Sequence, residues 1–108
     1  MLRGNLQPYL GFYMNDLAAP APVERQAWHH LVFQYTGSDQ EIWVDSARVA
    51  RRAAPAYAGT SGATRIGRNP EWSNVGGTHF VGSMRRVRVY GRSLGGDEIA
   101  EIRRRETP

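Results

Sequence analysis

Two adjacent histidines and three acidic residues flank one apolar run, and together they have the residue types of acid–base or metal chemistry. The histidines are His29 and His30, and the acids that follow the run are Asp39, Glu41 and Asp45. Neighbouring side chains of a β-strand emerge on opposite faces of the sheet. A strand through this stretch therefore prevents the two histidines from binding one metal ion, and we predict no metal site.

Asp39 and Glu41 also have the spacing of a paired-carboxylate site. Two residues apart on a strand, they share one face at a separation of about 6.5 Å. Glycoside hydrolysis uses two carboxyl groups at a similar separation. The alternative is that both acids are ordinary turn and solvent-facing residues, and the spacing alone leaves both interpretations open.

The loops of the second half contain the residue types of a sugar-binding site. The stretch RNPEWSNVGGTH, residues 68–79, combines an aromatic ring with amide and guanidinium donors. Proteins bind sugars by stacking them on such a ring and orienting them with hydrogen bonds. Alternatively, Trp72 packs its own loop onto the domain. The candidate ligand-binding residues are Tyr57, Arg68, Asn69, Trp72, Asn74 and His79.

The basic residues are unusual because all 14 of them are arginine, with a formal net charge of +4. A chain without lysine has no Schiff-base lysine and no P-loop lysine. Guanidinium groups match the oxygens of carboxylates, sulfates and phosphates in pairs. A compositional bias of the coding sequence is the simpler explanation of the arginines, and an anion-binding surface is the alternative. The candidates for an anionic-ligand surface are Arg51, Arg52, Arg86 and Arg88; without a recognition helix or interleaved aromatic residues, nucleic acid is not expected.

Short apolar segments separated by glycine, proline and small polar residues are typical of an antiparallel β protein. Prolines within Leu17–Pro22 indicate a loop or an edge there. The stretch LGGDEIAEIRRRE has acids in its first turn and arginines in its last, as a helix dipole favours, and it predicts one C-terminal helix. In the last strand, Val87 and Val89 are expected to face the core. The predicted strands cover residues 9–14, 28–35, 41–45, 48–52, 64–67 and 80–90.

Length and composition predict one domain over residues 1–108. The chain has no cysteine, which excludes disulfides, a thiol nucleophile and cysteine-ligated zinc. No apolar run approaches the roughly 18 residues of a membrane helix, so no membrane association is expected. Polar residues interrupt the N-terminal stretch, which does not predict a signal peptide. The cellular location is left undetermined.

Three successive motifs resemble the laminin-G-like group of the concanavalin A-like lectin and glucanase superfamily. They are WHHLVFQYTGSDQEIWVDSARV, then TRIGRN, then HFVGSMRRVRVYGRSLGGDEI, and they match in order and spacing over about residues 28–102. The resemblance implies an all-β antiparallel jelly-roll sandwich with one short C-terminal helix. It also implies structural roles for Trp28 and His30.

The chain departs from the family pattern at several points. Arg85 and Arg86 replace an acidic pair, which puts an inherited calcium role in doubt, and Ser46 replaces a turn glycine. Few residues precede Trp28, so the sandwich is short by a strand or two and an unpaired sheet edge is expected. A second copy covering that edge would make the protein a homodimer. The alternatives are that the N-terminal segment folds back as the missing strand, or that the chain is a fragment.

The resemblance favours a noncatalytic binding module for carbohydrate. Its glucanases carry a third acid in a Glu-x-Asp-x-x-Glu run, whereas Val44 stands at that position here. We therefore predict no catalytic residues and no enzyme activity. No cofactor is expected, with calcium suggested by family analogy only. The alternative from another class is a protein-interaction or structural module that uses an exposed sheet edge or face.

Overall fold

The computed structural model describes residues 2, 5–11, 16–54, 66–67 and 80–106. The chain divides into two compact units, one formed by Met1–Tyr57 with Arg88–Pro108 and the other by Ala58–Val87. All helices and strands found in the described residues belong to the first unit. They are β1 (Tyr9–Gly11), β2 (Asp16–Ala18), β3 (Leu31–Tyr35), β4 (Asp39–Val44), β5 (Ala47–Ala53) and α1 (Gly96–Glu106).

The strands of the first unit form two antiparallel sheets. β1 pairs with β2, and β3, β4 and β5 form a three-stranded sheet in that order. In its register Gln34 lies beside Glu41, and Glu41 lies beside Arg51. β3, β4 and β5 are therefore joined by two consecutive hairpins. The fold is mostly β with a short C-terminal helix, consistent with a β-sandwich, while jelly-roll topology stays a prediction.

The core lies between the two sheets, on one face of β4. Ile42 is fully buried and clusters with Leu17 and Ala19, and the partly buried Phe33 and Val44 pack against them. Side chains alternate along β4, so Ile42 and Val44 share the core face with Gln40, a polar residue that is also fully buried. The opposite face of β4 carries Asp39, Glu41 and Trp43, which are described below.

A tight turn joins β4 to β5. Asp45 and Ser46 have φ angles of 50° and 72°, and positive φ at both central residues is the pattern of a type I′ hairpin turn. Aspartate tolerates this conformation better than most residues, whereas serine lacks the freedom of glycine there. Ser46, noted in the sequence as a replacement for glycine, therefore occupies a strained backbone position.

The predicted C-terminal helix is confirmed as α1. The Gly95 backbone N–H donates to Glu98 Oε1 at 3.1 Å, which is the backward half of a capping box. Ile99 is fully buried. The arginines Arg103–Arg105 lie in the last turn, as the helix dipole favours.

Several predicted strands need correction. β3 begins at Leu31, so Trp28, His29 and His30 precede the strand. Residues 80–90 contain no strand, and Val87 and Val89 are 53% and 86% exposed instead of facing the core. The only described residues of the predicted strand 64–67, residues 66 and 67, are not in a strand. Alternating polar and apolar residues show that a segment can form a strand. The strand also needs a neighbouring strand to pair with, and the residue pattern does not show whether one is present.

The second unit shows local contacts around two glycines. The Phe80 backbone N–H donates to the Gly67 carbonyl at 2.7 Å. Gly82 has a φ of 154°, and a Cβ there would lie 2.9 Å from the Phe80 ring. This is the close approach that a glycine interrupting an apolar segment predicts. In the described part of the chain, no helix has the length and apolar character needed to cross a membrane.

Candidate functional site

Asp39 and Glu41 lie on the same face of β4, as predicted, but they are buried and paired with basic groups. Asp39 is 9% and Glu41 is 8% exposed. Arg51 Nε donates to Asp39 Oδ2 at 2.8 Å, and Arg48 Nη1 lies 3.4 Å from Glu41 Oε2. The two carboxylates are thus neutralised from the adjacent strand, and the expectation that they are solvent-facing was wrong.

Glu41 accepts further hydrogen bonds within the sheet. Gln34 Nε2 donates to Glu41 Oε1 at 2.8 Å, and Trp43 Nε1 donates to the same oxygen at 2.9 Å. Partial burial acts to raise the pKa of Glu41, but these two hydrogen bonds and the Arg48 charge outweigh it and hold the pKa below its ordinary value. A general acid needs a raised pKa, so Glu41 is suited to remain a carboxylate.

The same network connects the sheet to the segment before α1. Gln34 Nε2 also donates to the Leu94 carbonyl at 3.0 Å, and the Leu94 N–H donates to Gln34 Oε1 at 2.8 Å. Next to this pair, the Trp43 ring lies against Gly96, where an added Cβ would come within 3.2 Å of it. Gln34 and Trp43 therefore fix the start of the helix on the polar face of the sheet.

The two histidines meet at Asp45, in the turn after β4. His29 Nδ1 donates to Asp45 Oδ2 at 2.9 Å, and the His30 backbone N–H donates to Asp45 Oδ1 at 2.9 Å. Arg103 Nε of α1 lies 3.7 Å from Asp45 Oδ1. Burial acts to raise the pKa of Asp45, but the hydrogen bonds from both histidines and the Arg103 charge lower it overall. Asp45 thus ties three chain segments together as a carboxylate.

Both ring nitrogens of His29 are engaged. Nδ1 contacts Asp45, and Nε2 donates to the Glu24 carbonyl at 3.1 Å. Both partners are hydrogen-bond acceptors, so both ring nitrogens of His29 are directed at groups within the chain.

His30 differs from the expectation of a satisfied structural histidine. Its Nδ1 is buried and has no hydrogen-bond partner among the described residues. Across residues 2, 5–11, 16–54, 66–67 and 80–106, no group of three or more metal-ligating side chains assembles. The His29 ring and the His30 backbone N–H both hold Asp45, and these two contacts form a histidine brace.

A cleft of about 400 Å³ lies beside this brace. Residues 19–24 form one side of it, and His29, Val44, Asp45 and Val49 complete the described lining. The cleft lies within the size range of small-ligand sites, which is about 300–1,000 Å³. Most of its lining is apolar, its charged or titratable lining residues are Glu24, His29 and Asp45, and the described lining includes no Phe, Trp or Tyr.

Three of the four arginines proposed for anion binding have partners within the chain. Arg51 binds Asp39, Arg52 Nη1 donates to the Asp16 carbonyl at 2.8 Å, and Arg88 pairs with Glu106. Each side chain keeps part of its surface exposed. Arg86 lies in the other unit at a φ of 53°. Two of the four candidates thus have their charge compensated by a carboxylate.

The predicted sugar-binding residues lie outside the described residues. They are Tyr57, Arg68, Asn69, Trp72, Asn74 and His79. Their grouping stays a prediction from sequence. Sequence reasoning missed Gln34 and the cleft beside residues 19–24. The position of Gln34 directly across the hairpin from Glu41 was a signal that could have indicated the first.

A family model described as the concanavalin A-like lectin/glucanases superfamily, of laminin-G type, matches residues 3–100. The match extends further toward the N-terminus than the motifs at residues 28–102. No curated protein matches the chain. A solved structure is similar, the 2.1 Å crystal structure of residues 221–444 of an S-layer domain-containing protein from Clostridium thermocellum ATCC 27405. The TM-score is 0.64 at 16% identity, covering 82% of this chain but only 44% of that one.

Proposed function

Because the chain belongs to the concanavalin A-like lectin/glucanases superfamily, we propose that it is a noncatalytic module that binds carbohydrate. The observation that carries the noncatalytic part is the pairing of Asp39 and Glu41 with Arg51 and Arg48. The superfamily includes both lectins and glucanases by name, and the state of these acids supports the lectin-like function.

The buried acid pair supports binding without hydrolysis. A glycosidase needs one carboxyl group that is protonated at working pH and a second that is ionised. Glu41 has a lowered pKa and accepts hydrogen bonds from Gln34 and Trp43. Asp39 is held by the guanidinium of Arg51. Neither acid is therefore arranged to donate a proton to a leaving group.

The arginine pairings favour a neutral sugar over an anionic polymer. A polyanion gains affinity by displacing counterions from free cationic groups. Arg51 and Arg88 already face carboxylates within the chain, so binding an anion there must compete with an existing pair. Stacking on an aromatic ring has no such competition, and Trp72 is the residue that the sequence offers for it.

The test is a glycan panel screened with the whole chain, with and without calcium and at two salt concentrations. Trp72→Ala should abolish binding and leave the melting temperature nearly unchanged. Trp43→Ala is the matched control, because it loses the hydrogen bond to Glu41 and the contact with Gly96. This variant should lose stability yet keep its affinity while it is folded.

The outcomes separate the competing functions. Salt-insensitive binding lost with Trp72→Ala supports the neutral-sugar site, whereas a steep loss of affinity with salt assigns binding to the arginines. Release of shortened glycans would refute the noncatalytic assignment. A lack of binding to every glycan of the panel would refute carbohydrate binding and favour the protein-interaction alternative.

A further inference from the structure

The two edges of the three-stranded sheet differ in charge. β5, at one edge, carries Arg48, Arg51 and Arg52. β3, at the other edge, has the sequence LVFQY and no charged residue. Proteins protect exposed edge strands with charges, proline or bulges, because an unprotected edge pairs with other chains. β5 has this protection and β3 does not.

The hydrogen-bond register shows which backbone groups of β3 face outward. The Asp45 N–H donates to the His30 carbonyl and the Thr36 N–H donates to the Asp39 carbonyl, so even-numbered residues bond to β4. The backbone groups of Leu31 and Phe33 therefore point away from β4. Within the described ranges, no hydrogen bond joins those groups to another segment.

We propose that β3 pairs edge to edge with β3 of a second copy of this chain. A two-fold axis normal to the sheet makes the two strands antiparallel and joins two three-stranded sheets into one of six strands. Because β3 is uncharged, the pairing brings no like charges together. Leu31 and Phe33 from both copies then lie side by side.

The packing around Phe33 favours a second copy over an unrelated strand at this edge. Phe33 packs against the core cluster that contains Ile42 and Leu17, yet it remains only partly buried. Pairing β3 with itself places Phe33 and Leu31 of the partner at the open end of that cluster. Each copy thus supplies the apolar surface that the other leaves half-exposed. This proposal is independent of the sugar site.

The experiment compares two proline variants by sedimentation velocity across a range of concentrations. Leu31→Pro removes an outward N–H of β3 and leaves the ladder to β4 intact, at a strand start where proline is tolerated. Ala53→Pro is the matched control, since Ala54 bonds to Ser38 and the Ala53 N–H points outward from β5. We expect the unmodified chain and Ala53→Pro to dimerise. Leu31→Pro should weaken the dimer roughly 5- to 100-fold, because two hydrogen bonds are lost per dimer.

A monomer at all concentrations would overturn the proposal, as would a Leu31→Pro dimer of unchanged affinity. If Leu31→Pro does not fold, hydrogen exchange on the unmodified chain decides. Protection of the Leu31 and Phe33 amides that rises with protein concentration supports pairing between copies. Protection that is equal at all concentrations shows that the chain's own residues cover the edge, and overturns it.

Discussion

Replacing Gln34 with leucine should lower the free energy of unfolding by much more than an ordinary substitution of one side chain does. The Gln34 amide joins β3 to a residue 60 positions later, because it donates to the Leu94 carbonyl and accepts from the Leu94 N–H. It also donates to Glu41. Leucine has a similar volume but no polar atom, so Gln34→Leu removes these bonds while largely preserving packing.

The size of the effect follows from what the substitution leaves behind. Leu94 is 7% exposed, so its N–H and carbonyl cannot turn to water without moving the start of α1. Each buried polar group left without a partner costs about 1–3 kcal/mol. Two such groups predict a loss of about 2–6 kcal/mol in the free energy of unfolding, which is a large share of the stability of a small domain.

Urea unfolding followed by circular dichroism measures this loss. Arg25→Leu is the control, because Arg25 is exposed and surface substitutions usually change stability by less than about 0.5 kcal/mol. A Gln34→Leu variant that loses no more than the control would refute the argument that Gln34 fixes Leu94 to the sheet.

Three further predictions concern the turns and the buried acid. Ser46→Gly should raise the free energy of unfolding by about 0.5–1 kcal/mol in urea titration, because glycine relieves the positive φ of 72° but costs backbone entropy. Gly37→Ala should lower the melting temperature, with a loss of about 1–2 kcal/mol in the free energy of unfolding. This loss comes from the φ of 98° alone, since nothing lies within 4 Å of the added Cβ. Glu41 contributes stability that is fully present above its ordinary pKa of 4.5 and is lost as pH falls through its lower folded pKa. Glu41→Gln should therefore flatten the acid-side decline in a pH series of unfolding curves, and an unchanged decline would contradict the pairing.

Much of the fold could be predicted from local sequence. Short apolar segments separated by turn residues predicted the strands at residues 41–45 and 48–52, close to β4 and β5, and the charge order of Gly96–Glu106 predicted α1. These features depend on neighbours within a few positions. Residues 80–90 show where this reasoning fails. A strand needs a partner strand, and the apolar pattern of a segment does not identify which other segment would pair with it.

The candidate site could be predicted only in part. The spacing of Asp39 and Glu41 correctly placed them on one face of a strand. Their burial and their pairing with Arg51 and Arg48 could not be read from that spacing, because the pairing depends on the register of β5 and on a bulge between Ile42 and Trp43. The histidine brace was expected to be structural, but its centre at Asp45 was not foreseen.

The sequence by itself determined the family and the restriction of the basic residues to arginine. It also determined the alternation of side chains between the two faces of β4. The tertiary structure alone decided what each polar side chain contacts. It joined Gln34 to Leu94, His29 to Asp45 and the acids of β4 to the arginines of β5. Local patterns follow from backbone geometry, which repeats along the chain. Pairing between distant side chains follows from the packing of whole elements, which no short stretch of sequence contains.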